Sequence, residues 1–217
     1  ITARKNPRGN WIETYNSSFL LNKSNPIQIY RKSKLVPGPE MMPFAKYLKP
    51  LFGGFALDLG GHVGTLGVES EAKVFETDLG IKVAPVICYE SVYSEYVTEY
   101  VKKGAEIIAV ITNDGWWEDT YGYKQHMSYA RLRAIENRRA VARSANTGIS
   151  CFINQRGDIV ESVGWDKRVL LQGKLKRNLQ MTYYTKSGNY LGRLAVFLTC
   201  IFLLQWLVAR IKKKSHF

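Results

Sequence analysis

Acidic residues are scarce in this 217-residue chain: Asp and Glu number 18 against 31 Lys and Arg, a formal net charge of +13. A solvated basic surface would account for that balance, and so would attraction to anionic lipid or nucleic acid. The signatures of nucleic-acid binding, an RNP-type strand or zinc-finger spacing, are missing. Cysteine is also sparse. Cys88, Cys151 and Cys200 make no Cys-x-x-Cys pair and no even disulfide framework, so they say little about redox compartment. His126 has no second ligand at metal spacing, and neither a metal nor another cofactor is expected. There are no internal repeats and no low-complexity tract. The chain opens at Ile1 with neither Met nor a signal-peptide pattern, and Arg4 to Gly9 read as an exposed turn. A portion of a longer protein is expected. What is present is a 46% hydrophobic content rich in Tyr and Trp, enough for one ordered domain with a short appendage.

Along the chain, Trp11 to Leu21 reads as a strand that breaks at the polar cluster Asn22 to Pro26. A second extended run begins at Ile27 and leads into a loop forced by Pro37, Gly38 and Pro39. The Gly-rich, aromatic stretch 41–61 is long for a soluble loop, and suits either a packed Ω-loop or a greasy lip for an apolar ligand. From Val74 strand and helix alternate. Gly80 to Cys88 is a predicted strand and Ser91 to Lys103 a helix stopped by Gly104. Ile107 to Thr112 is a buried strand, and a long helix follows over roughly Lys124 to Ala142. Ile149 to Asn154 and Ile159 to Val163 pair as a hairpin, and Leu170 to Leu175 supplies a last strand. This alternation predicts a layered α/β domain.

The stretch Val83 to Glu90 (VAPVICYE) carries the chemistry best. A buried, partly β-branched strand delivers Cys88 to the start of a helix, where unpaired N–H groups and the dipole favour a thiolate. Acyl transfer through a thioester needs such a nucleophile, a cation or N–H donors for the oxyanion, and a general base. Cys88 can be the first, and Lys32 with the Tyr89 N–H can serve the second. Read by composition alone, Cys88 is a buried thiol and Lys32 one more surface lysine beside Arg31 and Lys34. Trp116 and Trp117 can line an acyl-chain entrance or simply pack. Asn113 and Asp114 read as loop-fixing residues, His126 as a hydrogen-bonded structural residue and Glu136 as an ion-pair partner of the arginines around it.

The tail differs from the rest. Leu194 to Ala209 is 16 residues without a charge, flanked by Arg193 and by Arg210 and Lys212 to Lys214. With Tyr190 and Leu191 added it approaches the about 20 residues that span a bilayer. Its apolar residues cover every face rather than a stripe, which predicts a transmembrane helix over a buried one. The basic cluster after it predicts a cytoplasmic C-terminus, with the α/β domain on the opposite side.

Taken in order, YRKSKLVPGPE, ICYES, ITNDGWW and YKQHMSYARLRAIENRRAVARSANTGIS resemble the nitrilase, or carbon-nitrogen hydrolase, superfamily. Within it they are most similar to the apolipoprotein N-acyltransferase family. The resemblance implies a partial αββα sandwich over 1–185 that lacks its N-terminal part, a transmembrane helix over 190–211 and a basic tail over 212–217. It implies a bacterial inner-membrane enzyme, facing the periplasm, with a Glu-Lys-Cys triad. Cys88 would take an acyl chain from a phospholipid and pass it to the α-amine of an apolipoprotein's diacylglyceryl-cysteine. Lys32 matches the triad lysine, Glu40 an additional glutamate that supports it, and Tyr89 and Glu90 the residues flanking the nucleophile. The triad glutamate of the family lies upstream in a Pro-Glu segment with no match before Lys32, so this stretch alone is expected to be inactive. The alternatives are a membrane-tethered amidase, or a remnant that only binds lipid or lipoprotein.

Overall fold

The computed structural model describes residues 2–5, 11–23, 26–41 and 66–214; the predicted lip at 41–61 lies, apart from Met41, outside them. Two short antiparallel pairs come first. Strand β1 (Thr2–Lys5) pairs with β2 (Trp11–Tyr15), and β3 (Ser17–Leu20) with β4 (Gln28–Arg31). The single strand predicted over Trp11 to Leu21 is therefore two, interrupted at Asn16.

Among the described residues the main sheet has six strands: β5 (Phe75–Glu76), β6 (Lys82–Ile87), β7 (Ile107–Thr112), β8 (Ala140–Ala145), β9 (Ser150–Ile153) and β10 (Ile159–Val163), in the spatial order β10-β9-β8-β7-β6-β5. Its centre, β6 to β8, is parallel, and both edges are antiparallel. Parallel neighbours need a crossover, and helix α1 (Ser94–Lys102) and helix α2 (Tyr121–Asn137) provide the two. The apolar run of β6 is buried along its second half because helices and the β3–β4 pair cover its faces. Tyr30, Val86, Val97, Ile108 and Ile153 are fully buried between these layers.

The stretch after α2 departs from the sequence reading. The predicted helix to Ala142 stops at Asn137, because Arg138 adopts the left-handed conformation at φ 50°, ψ 44°. Arg139 then turns inward, and its Nε donates to the Ala105 carbonyl at 2.7 Å while Nη1 donates to that of Gln180 at 2.7 Å. The six residues AVARSA, ordinary helix formers, become strand β8 because β7 and β9 offer ladders on both sides. Removing the β-carbon at 138 relieves the left-handed strain. Arg138→Gly is expected to raise stability by about 1 kcal/mol, read as a higher unfolding midpoint. Leu170 to Leu175 does not form the predicted last strand. It runs without a ladder, and Leu170 is 91% exposed.

Helix α3 (Tyr183–Ser187) is capped by Thr182, whose hydroxyl accepts the Thr185 N–H at 2.9 Å, and docks on α1 and α2. Helix α4 (Tyr190–Lys214) leaves the domain there. Glu95 on α1 grips its start, accepting the Asn189 N–H at 2.8 Å and Arg193 Nη2 at 2.5 Å. These bonds hold the Glu95 carboxyl below its ordinary range. At 25 residues α4 is about 37 Å long, more than the about 30 Å hydrocarbon core of a bilayer. Val196, Phe197, Phe202, Leu203, Leu204 and Val208 are exposed on all of its faces. It is long and apolar enough to cross a membrane.

Candidate active site

The carboxyl ends of the parallel strands are where open α/β sheets gather their ligands. Strand β6 ends at Ile87, and the chain turns at once through Cys88 with φ at +50°. For a residue with a β-carbon that conformation costs about 1–3 kcal/mol and persists only where its surroundings hold it. A 3-10 turn, Cys88–Val92, follows and is closed by side chains. The Ile87 N–H donates to Glu90 Oε2 at 2.9 Å, and the Ser91 hydroxyl donates to the Cys88 carbonyl at 2.8 Å. The outcome is a sharp elbow with Cys88 half-buried at its corner. The α-helix predicted directly after the thiol begins only at Ser94, so the helix dipole expected at the sulfur is displaced along the chain.

Glu90 organises this corner from below. It is completely buried, and its Oε1 accepts Tyr30 Oη at 2.6 Å, the Ser33 N–H at 2.7 Å and the Lys34 N–H at 3.3 Å. Tyr100 Oη donates to Oε2 at 3.3 Å. One carboxyl thus ties the elbow to the segment after β4. Burial pushes the Glu90 carboxyl above its ordinary range despite these donors. Burial and the neighbouring Glu90 charge raise the Tyr30 and Tyr100 phenols strongly, so both remain protonated donors.

Lys32, in that same segment, is fully buried. Its Nζ donates to Glu40 Oε1 at 3.0 Å and Oε2 at 2.7 Å. Glu40 also accepts Asn16 Nδ2 at 2.9 Å and the Val36 N–H at 2.8 Å. Both of its oxygens therefore carry two donors, which suits holding the lysine better than moving a proton. A cavity of about 590 Å³ opens over the strand ends. Cys88, Tyr89, Glu40, Asn16, Trp116 and Trp117 line it, with Val36, Pro37, Pro39, Ile87 and Ile111 adding apolar wall. Lys32 and Glu90 are not on the cavity wall; each is hydrogen-bonded to a residue that is, Lys32 to Glu40 and Glu90 to Ile87. A greasy chain with a polar reacting end fits such a lining.

Among the other sequence candidates, Trp116 is exposed, while the Trp117 ring lies tilted against that of His126 with centroids 5.2 Å apart. Asn113 does fix its loop, with Oδ1 accepting the Gly115 N–H at 3.1 Å. Asp114 does more than the loop-fixing expected of it. It is buried among His126, Thr112 and Arg143. Burial alone would raise its carboxyl, but His126, Arg143 and Thr112 more than offset this and hold it below the ordinary range. Its stabilising contribution is therefore present above the unfolded-state value and lost as pH falls through the folded one. Glu136 pairs with Arg133 at 2.8 Å, as the sequence suggested. Cys151 is buried in β9, and burial pushes its thiol up to about 11; Cys200 is exposed on α4.

Sequence reasoning missed three contributors. Asn16 looked like an ordinary strand residue, Tyr30 one aromatic among many, and Arg143 lay just past the helix expected over Lys124 to Ala142. No local signal marked Asn16, which lies among other polar residues, and Arg143 stood out only as a charge after the apolar Ala140 to Ala142.

An elbow cysteine at the end of a parallel strand thus shares one cavity with Glu40, the carboxylate that holds the buried Lys32. The chain belongs to the carbon-nitrogen hydrolase family, whose model matches residues 2–183. Two relatives narrow the comparison. The chain is 33% identical over 204 residues to the apolipoprotein N-acyltransferase of Chlorobaculum tepidum, a match covering 92% of this chain and 38% of that protein. It is 36% identical over 165 residues to the apolipoprotein N-acyltransferase of Aquifex aeolicus, covering 74% of this chain and 34% of that one. The chain thus spans less than two-fifths of these relatives' length. Among solved structures, a carbon-nitrogen hydrolase from Helicobacter pylori G27 superposes with a TM-score of 0.55 at 17% identity, over 76% of this chain and 57% of that one.

Proposed function

We propose that this chain is the catalytic portion of an apolipoprotein N-acyltransferase, and that Cys88 is its nucleophile. The observation that carries the reading is the Cys88 elbow at a largely apolar cavity, in a chain whose similarity to such acyltransferases extends over 92% of its length. Residues 1–185 form the catalytic domain, 190–211 cross the membrane and 212–217 are the cytoplasmic tail. By the charge rule the domain then faces the periplasm of the bacterial inner membrane. The exposed apolar surface of α4 supports the membrane crossing.

In this reaction a carboxylate base takes the Cys88 thiol proton, and Sγ attacks the ester carbonyl of a phospholipid. The carbonyl electron pair moves to oxygen, where the Tyr89 N–H and the Lys32 charge stabilise it. Glu40 keeps Lys32 in place. Collapse breaks the ester C–O bond, and the lysophospholipid leaves as an alcohol carrying the proton. The α-amine of the apolipoprotein's diacylglyceryl-cysteine then attacks the thioester, the C–S bond breaks, and amide and free thiol result. Glu40 and Glu90 are poor choices for the base, because their oxygens already accept hydrogen bonds. The base is therefore a carboxylate other than these two. Trp116 and Trp117 border the acyl-chain path.

Intact mass tests this reading. Incubated with phospholipid vesicles, the complete protein is expected to gain the mass of one acyl chain. Cys88→Ala abolishes the gain, and hydroxylamine reverses it. Release of ammonia from simple amides without acylation would instead assign a membrane-tethered amidase.

A further inference from the structure

The proposed chemistry leaves a buried polar chain beneath the elbow without a task. It starts at Arg143 in the middle of β8, whose Nη2 donates to Asp114 Oδ2. Thr112 Oγ1 donates to Asp114 Oδ1 at 2.9 Å, and His126 Nδ1 donates to the same oxygen at 2.9 Å. Across the imidazole ring, Nε2 lies 3.0 Å from Ser91 Oγ and 3.2 Å from the Cys88 carbonyl oxygen. The Ser91 hydroxyl closes the triangle by donating to that carbonyl at 2.8 Å. Asp114 and Ser91 are fully buried, His126 is 2% exposed and Arg143 3%. Gly148 leaves room for the carboxylate, since a β-carbon there would lie 2.5 Å from Asp114 Oδ2. Strand, loop, helix and turn all contribute to holding one carbonyl oxygen.

That oxygen belongs to the peptide joining Cys88 to Tyr89. A peptide unit is planar and trans, so its C=O and its N–H point in opposite directions in one plane. Fixing the Cys88 carbonyl therefore fixes the direction of the Tyr89 N–H. A carbonyl that accepts hydrogen bonds also polarises its own amide and makes the N–H a better donor. An N–H at the start of a helical turn has no partner within the turn, which leaves it available to a ligand.

We infer that Ser91, seated by His126, Asp114 and Arg143, is a positioning residue that aims and polarises the Tyr89 N–H toward the oxyanion formed during acyl transfer. The inference rests on the proposal that Cys88 is an acyl nucleophile. None of the four residues touches the substrate; each acts through the shared peptide. The network also holds the left-handed elbow, so the test must separate oxyanion stabilisation from general damage to the corner.

Two reactions of Cys88 in the complete protein make that separation. Acylation by an ester develops negative charge on the carbonyl oxygen. Alkylation by iodoacetamide displaces iodide at a saturated carbon and develops no oxyanion. Ser91→Ala is expected to lower the maximal acylation rate by about 10- to 100-fold, a part of what loss of a whole oxyanion donor costs, with the donor KM unchanged. Its alkylation rate stays at the wild-type value. His126→Asn, which keeps a donor toward Asp114 but vacates the Nε2 position, should give the same split and serves if Ser91→Ala does not fold. Equal losses in both reactions, an unchanged acylation rate, or a change confined to KM would each overturn the inference. Running acylation with both phospholipid vesicles and p-nitrophenyl butyrate separates it from the functional reading. Wild-type acylation by the phenyl ester alone would remove phospholipid as donor while still judging Ser91. Acylation by neither would overturn both.

Discussion

Glu90→Gln is expected to abolish acyl transfer and to cost about 1–3 kcal/mol of stability, although it changes a single atom. The Glu90 carboxyl meets only donors: three backbone N–H groups, from Ser33, Lys34 and Ile87, and the phenols of Tyr30 and Tyr100. An amide must turn its NH2 toward some of them. If nitrogen takes the Oε2 position it faces the Ile87 N–H, and the bond that closes the elbow is lost. If nitrogen takes the Oε1 position, Ser33 and Lys34 lose theirs, and the segment carrying Lys32 loosens. Either way a buried donor goes unpaired, and either way the geometry between Cys88 and the Lys32–Glu40 pair relaxes. Hydrogen–deuterium exchange at Ile87, Ser33 and Lys34 would show which orientation is taken. The variant also carries a pH signature. Because burial raises the Glu90 carboxyl, the folded state keeps its proton when the unfolded state has lost it. Wild-type stability therefore falls as pH rises from the ordinary carboxylate value through the folded one. Glu90→Gln lacks that slope. An unchanged slope with full acyl transfer would remove Glu90 from the account.

The second large effect is expected from Lys32→Met, which keeps the length of the side chain and removes its charge. Lys32 is fully buried and donates to both oxygens of one carboxylate, Glu40. Breaking one side of a buried ion pair typically costs about 3–5 kcal/mol. The loss here should lie at the lower end, since Glu40 is partly exposed and keeps the Asn16 amide and the Val36 N–H. Acylation should fall by at least about 100-fold, the scale of a lost oxyanion stabiliser. Lys32→Arg should not restore it, because the larger planar guanidinium has no space in a site with no exposed surface. Mass spectrometry of the acyl-enzyme, with denaturation followed in parallel, separates the two consequences. Wild-type acylation rates in Lys32→Met would place the oxyanion's positive charge elsewhere.

Much of the site was legible in the primary structure because its parts are local. An apolar strand running into Cys88, the Pro-flanked loop carrying Glu40 after Lys32, and the two tryptophans after β7 are each continuous in sequence, and the cavity gathers Cys88, Glu40, Trp116 and Trp117. The charge-free stretch within α4 announced itself in the same way. The contributors that escaped notice are those whose role exists only through distant partners. Tyr30 meets Glu90 across 60 residues, and Arg143 meets Asp114 across 29. The strand AVARSA escaped because its residues favour a helix, and only the ladders of β7 and β9 outweigh that preference.

By itself, then, the amino-acid sequence determined the α/β alternation, the order of the candidate residues and a C-terminal helix apolar on every face. These depend on periodicity and on composition over short windows, which a chain carries without folding. Only the tertiary structure decided that Cys88 sits on a left-handed elbow rather than at an α-helix mouth, that Lys32 is buried behind Glu40, and that Arg143, Asp114, His126 and Ser91 converge on one carbonyl. Those outcomes are set by which donors and acceptors burial forces together. No stretch of sequence encodes that alone, because each partner is supplied by a different strand, loop or helix.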